Sequence, residues 1–125
     1  MLSNLNFKII ALDHVQLVMP PQRESDAERF YVGLLGFERV PKPPALAARG
    51  GCWFQAEGVQ IHLGVEQDFR PAKKAHPALI VRGLDALCTR LQSAGVAVRP
   101  NDELPGVRRC FVEDPFGNRI ELIEG

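Results

Sequence analysis

At 125 residues the chain is long enough for one compact domain with an ordinary apolar core. Its 15 lysines and arginines equal its 15 aspartates and glutamates, so it lacks the basic excess of a dedicated nucleic-acid binder. No apolar run is long enough to span a bilayer, the N-terminus lacks the regions of a secretory signal, and Cys52, Cys88 and Cys110 show no CxxC spacing; the expectation is a cytoplasmic protein with buried, unpaired thiols and no membrane or nucleic-acid partner.

In chain order, Lys8–Met19 alternates and is rich in β-branched residues, which predicts a strand ended by Pro20-Pro21. Within it Leu12, His14, Gln16 and Val18 share one face and Val15 and Leu17 the other. Glu24–Leu35 follows as a helix with Ala27, Phe30, Tyr31 and Leu34 on one stripe, stopped at Gly36. Phe37–Val40 reads as a strand and Pro41–Gly51 as a loop, either a lid or a connector. Cys52–Ala56 and Val59–Val65 form a hairpin across Glu57-Gly58.

Residues 66–75 are polar and read as a linker, after which the pattern returns. His76–Val81 predicts a strand and Leu84–Ala94 a helix with the stripe Leu84, Leu87, Cys88 and Leu91. The strands Val96–Arg99, Val107–Val112 and Asn118–Ile123 follow, the last two joined by the turn at Asp114–Asn118.

The return is a repeat. GVQIHL at Gly58–Leu63 matches GNRIEL at Gly117–Leu122, which sets His62 against Glu121, 59 residues on. His14 and His76 open strands 62 residues apart. Two βαβββ modules, about 8–65 and 76–124, follow from this, neither able to bury its helix stripe and sheet face alone. The predicted class is α+β: paired modules in a mixed, eight-stranded arrangement curved around a cavity, helices outside. Val15, Leu17, Ile61, Leu63, Leu79, Val81, Ile120 and Leu122 are expected to face the helices. His14, Gln16, Gln60, His62, Arg119 and Glu121 are expected on the opposite, polar face.

LDHVQLVM, RFYVGLLGF and above all FVEDPFGNRIELIE at Phe111–Glu124 resemble the vicinal oxygen chelate superfamily, which includes glyoxalase I, fosfomycin- and bleomycin-resistance proteins, extradiol dioxygenases and methylmalonyl-CoA epimerase. The resemblance implies paired βαβββ modules, a homodimer, and metal ligands on the first and last strands of the modules. Those positions here are His14, His62, His76 and Glu121. Glyoxalase I-like members fill all four, usually with a carboxylate or glutamine at the place of His62, whereas fosfomycin-resistance enzymes and dioxygenases use three, matching His14, His76 and Glu121. The histidine at 62 departs from the glyoxalase I pattern in both site charge and base.

Imidazoles plus one carboxylate suit zinc, nickel, cobalt, iron or manganese and leave positions open for a chelating substrate. Glu121 and His62 are the candidate proton-moving groups, with His62 either a ligand or a partner behind the ligands. Arg109 and Phe111 share strand parity, and Phe111 matches Trp53. With Gln16 they are expected to line the substrate pocket, Arg109 facing an anion; the alternative is an exposed edge arginine beside core aromatics. The expected function is metal-dependent lyase, isomerase or dioxygenase chemistry on a small oxygenated molecule. The alternative is a metal-free protein that binds or sequesters a small molecule, as bleomycin-resistance proteins do.

Overall fold

A computed structural model describes residues 5–125. The elements run β1 (Val15–Met19), α1 (Glu24–Tyr31), β2 (Glu38–Val40), α2 (Pro44–Ala47), β3 (Cys52–Ala56), β4 (Val59–Val65), β5 (Ala78–Val81), α3 (Leu84–Ser93), β6 (Arg99–Asn101), β7 (Arg109–Glu113) and β8 (Arg119–Glu124). The strands form two four-stranded sheets, ordered β1-β4-β3-β2 and β5-β8-β7-β6. In each sheet the first and last strands of a module pair in parallel and the other neighbours pair antiparallel. The fold is α+β as expected, with the sheets left open.

The repeat is also one of register. Gln16 stands opposite His62 and Ala78 opposite Glu121; Trp53 stands opposite His62 and Phe111 opposite Glu121. Sheet parity follows the alternation. Leu17, Ile61, Leu63, Ile120 and Leu122 are buried with α1 residues Ala27, Phe30 and Tyr31 and α3 residues Leu84 and Leu91. Burying such side chains is the main favourable term of folding, on the order of 1.5–3 kcal/mol each.

Several boundaries differ from the expectation. The first strand begins at Val15 rather than Lys8, because among the described residues β4 alone pairs with it and the chain turns away at Gly58, which has φ +73°. Among the described residues, 5–12 have no strand partner there, and Phe7, Ile9, Ile10 and Leu12 lie exposed. The loop Pro41–Gly51 contains one helical turn, α2, opened by Pro44, whose missing N–H costs nothing at a helix start. β6 lies at Arg99–Asn101 and includes Pro100. An edge strand tolerates proline because one of its sides needs no ladder hydrogen bond.

A buried polar cluster ties the modules together. Tyr31 Oη donates to Asp114 Oδ2 at 2.7 Å, and the backbone N–H groups of Phe116 and Asn118 donate to Asp114 Oδ1, each at 2.9 Å. Asn118 Nδ2 donates to the Val18 carbonyl at 2.8 Å and to Asp114 Oδ2 at 2.9 Å, while its Oδ1 accepts from Ala72 N–H. Arg90 adds a bond to the Gly33 carbonyl at 2.6 Å. Among the described residues no helix is long and apolar enough to cross a membrane.

Candidate metal and substrate site

The four metal-capable side chains fall into two pairs, one on the polar face of each sheet. His14 immediately precedes β1, and β1 lies beside β4, so its ring stacks on His62 with centroids 4.1 Å apart. His62 is sandwiched from the other side by Trp53 of β3, at 4.2 Å. This covering leaves His62 only 6% exposed although it lies on the polar face, and its Nε2 has no hydrogen-bond partner among the described residues. Burial, then the nearby His14, holds the His62 imidazole below its ordinary pKa and keeps it neutral.

The second pair is built at the equivalent place. His76 precedes β5, which lies beside β8, and its Nε2 is 3.0 Å from Glu121 Oε1. Glu121 Oε2 accepts from Arg109 Nη1 at 2.9 Å, and Arg109 Nη2 donates to Asn101 Oδ1 at 2.8 Å. Burial pushes the Glu121 carboxyl up, but the hydrogen bonds from Arg109 and His76 outweigh it and hold it below the ordinary carboxylate value. Phe111 stands beside His76 edge to face at 5.4 Å, and the Arg119 guanidinium lies over Phe111 at 4.0 Å.

Both outer histidines have one nitrogen anchored. His14 Nδ1 is 2.8 Å from Asp13 Oδ2, and His76 Nδ1 is 2.8 Å from the Lys74 carbonyl oxygen. A carbonyl only accepts, so His76 Nδ1 carries a hydrogen; Nε2 then donates to Glu121 Oε1 when the ring is protonated and turns a lone pair toward it when the ring is neutral. In the neutral form the two acceptors, 3.0 Å apart, leave room for a cation in place of the proton. The donor chemistry therefore fits a divalent ion of the zinc to manganese group. The full set is not assembled within one chain: among the described residues no group of three or more His, Cys, Asp or Glu side chains converges on one point.

The structure brings His62 and Trp53 beside His14, and Arg109 and Phe111 beside His76 and Glu121. Gln16 is exposed on β1 opposite His62 and borders a cleft of about 290 Å³ with Lys42, Arg49 and Trp53. Arg109 is neither an exposed edge residue nor a free charge, since its guanidinium is engaged by Glu121 and Asn101. A further cleft of about 450 Å³ is lined by Lys73, Arg99, Phe111 and Arg119. Sequence reasoning missed Asp13, Asn101 and the Lys74 carbonyl. Asp13 alone left a signal, as a carboxylate adjacent to a candidate ligand; the other two arrive through loop geometry.

No curated protein sequence matches the chain. Among solved structures, a putative glyoxalase family protein from Bacillus anthracis is 45% identical, with a TM-score of 0.93 over 97% of this chain and 99% of that one. The antibiotic-binding protein TnmS3 from Streptomyces sp. CB03234 is 29% identical, with a TM-score of 0.67 over 93% of this chain and 98% of that one. The fosfomycin resistance protein FosX from Listeria monocytogenes shares the fold at 17% identity and a TM-score of 0.76, over 94% of this chain and 95% of that one. The family model for the Glyoxalase/Bleomycin resistance protein/Dioxygenase superfamily matches residues 11–122. By that match, which spans nearly the whole of both modules, the chain belongs to the Glyoxalase/Bleomycin resistance protein/Dioxygenase superfamily.

Proposed function

We propose that this protein is a divalent-metal-dependent enzyme acting on a small oxygenated molecule, with each site completed by a second copy of the chain. The observation that carries this reading is the contact of His76 Nε2 with Glu121 Oε1, two possible ligand atoms turned on one point by anchors behind them. His14 presents a similarly anchored ring on the other sheet. In a symmetric dimer the first half-site of one copy faces the second half-site of its partner, which joins His14 with His76 and Glu121.

A zinc, nickel, cobalt, iron or manganese ion bound there would supply Lewis acidity toward adjacent substrate oxygens. The chain's own residues do the rest. Arg109 holds Glu121 Oε2, so Oε1 is the oxygen left for an ion. The Lys74 carbonyl fixes the His76 tautomer. His62, neutral and without a partner at Nε2, is the base that takes a substrate proton. Trp53 and Phe111 provide flat apolar walls, and Gln16 an amide for a polar substrate group.

A second reading, metal-free sequestration, is favoured by one feature: the Trp53–His62–His14 stack is a flat platform suited to a planar ligand. The likeness to an antibiotic-binding protein points the same way.

Elemental analysis of the purified wild type, together with a dimer made by co-expressing differently tagged His14→Ala and Glu121→Ala chains, separates these readings. The mixed dimer has one doubly altered site and one intact site. It should hold half the metal of the wild type, while either variant alone holds little. A mixed dimer no better than its parents overturns the shared site. Metal-free wild type that binds ligand as well as the Glu121→Ala variant establishes sequestration.

A further inference from the structure

Outside the half-sites, two of the three cysteines meet. Cys88 Sγ on α3 and Cys110 Sγ on β7 lie 3.7 Å apart, joining positions 22 residues apart in sequence. Cys110 is buried and Cys88 half-buried, and both border a cleft of about 650 Å³ lined also by Leu104, Gly106 and Arg108. Small solutes therefore have a route to Cys88. The third thiol, Cys52, is buried on the other sheet, and burial pushes it up to about 11. A disulfide needs its sulfurs at about 2.05 Å, so the two side chains must draw together from 3.7 Å to form it.

We propose that Cys88 and Cys110 form a reversible disulfide within one chain, an oxidation site that takes hydrogen peroxide or a related hydroperoxide. The Cys88 sulfur attacks the peroxide O–O bond, giving a Cys88 sulfenic acid and water. The Cys110 sulfur then attacks the Cys88 sulfur and displaces hydroxide, which leaves as water with the Cys110 proton. Two thiols are oxidised and one peroxide is reduced, with two waters formed. Burial, then the neighbouring Cys88, pushes the Cys110 thiol up to about 12, so the second step quickens as the solution is made alkaline.

The bond matters because of where Cys110 sits. It lies between Arg109 and Phe111 in β7, whose side chains build the second half-site from the opposite face of the strand. A disulfide would tether that strand to α3. The inference needs neither a metal nor a dimer, so it stands apart from the proposed function.

The test treats the full wild-type chain with near-stoichiometric hydrogen peroxide, blocks remaining thiols with an alkylating agent, and maps the digest by mass spectrometry. The expected result is one link between the Cys88 and Cys110 peptides of the same chain, with Cys52 alkylated and the link undone by dithiothreitol. Titratable thiols fall from three to one. In Cys88→Ser, Cys110 should remain open to alkylation after the same treatment. Survival of all three thiols, a Cys88 sulfinic acid beside an alkylated Cys110, or links through Cys52 or between chains would each overturn the proposal.

Discussion

His62 lies flat against Trp53, ring centroids 4.2 Å apart and planes 9° from parallel. Stacking covers the imidazole without satisfying its Nε2. His62→Phe should keep the stack and remove the orphaned polar atom, leaving stability within about 1 kcal/mol of wild type or above it by urea denaturation. Trp53 is the only tryptophan, so its emission reports on this half-site. Nickel should quench it in the wild type and less in His62→Phe.

The same residue predicts a pH effect. Its folded-state pKa is depressed from 6.5, so the unfolded chain takes up a proton that the folded chain refuses. His62 therefore contributes stability that is fully present above its ordinary value and declines as pH falls below it. Urea midpoints of wild type should drop across that window more than those of His62→Phe.

Arg109 is the group that lets Glu121 remain ionised under cover. Glu121 contributes stability present above its ordinary value of 4.5 and lost as pH falls through its lower folded value. Arg109→Met should cost about 1–3 kcal/mol at neutral pH by urea denaturation, because a nearly covered carboxylate loses a charged donor. The fall in stability toward acid pH should then be smaller, because the folded carboxyl no longer lies as far below its unfolded value. Lys at this position should recover part of the charge but not the second bond to Asn101.

The Tyr31–Asp114–Asn118 cluster should respond to single-atom changes. Tyr31→Phe removes one donor from a buried carboxylate and should cost about 1.5–3 kcal/mol. Asp114→Asn replaces an acceptor oxygen with an NH2 group in a ring of donors and should cost at least as much. Burial pushes the Asp114 carboxyl above 3.8 despite the hydrogen bonds from Asn118 and Tyr31, so its ionisation weighs against folding as pH rises through the raised value. Thermal melts of Tyr31→Phe and Asp114→Asn check both statements.

Gly51 and Gly58 form a controlled pair. Both have positive φ, +87° and +73°, but a Cβ on Gly51 would lie 2.1 Å from the Leu63 carbonyl oxygen, while one on Gly58 meets nothing within 4 Å. Gly58→Ala should cost about 1–2 kcal/mol from backbone strain alone. Gly51→Ala should cost clearly more, because backbone at the start of β3 must move. Equal losses in denaturation would show that the close approach does not matter.

Much of this was legible in the residues. The offsets of 59 and 62 between equivalent positions reappear as the registers Gln16 to His62 and Ala78 to Glu121. Alternation placed Ile61, Leu63, Ile120 and Leu122 inside. What alternation cannot report is the end of a partner strand, and so Lys8–Asp13 read as strand although β4 runs out beside it. Pro100 ended the expected strand Val96–Arg99 where β6 begins, because proline's usual meaning is a break and its edge-strand meaning depends on topology. The pairing of His14 with His62, and of His76 with Glu121, follows from which strands are parallel neighbours. Sequence parity put His14, His62 and Glu121 on the polar face but carried no information on the arrangement of the two sheets.

The junction of the modules is held by bonds with direction, running from Tyr31 through Asp114 and Asn118 to the Val18 carbonyl. Greasy surfaces slide over one another; hydrogen bonds of this kind set an angle. The relative tilt of the two sheets is thus governed at a hinge-like seam, by side chains that touch neither half-site. Small changes at Tyr31 or Asn118 would retune the spacing between donor pairs without altering a donor, giving the fold a remote adjustment for the geometry of whatever it binds.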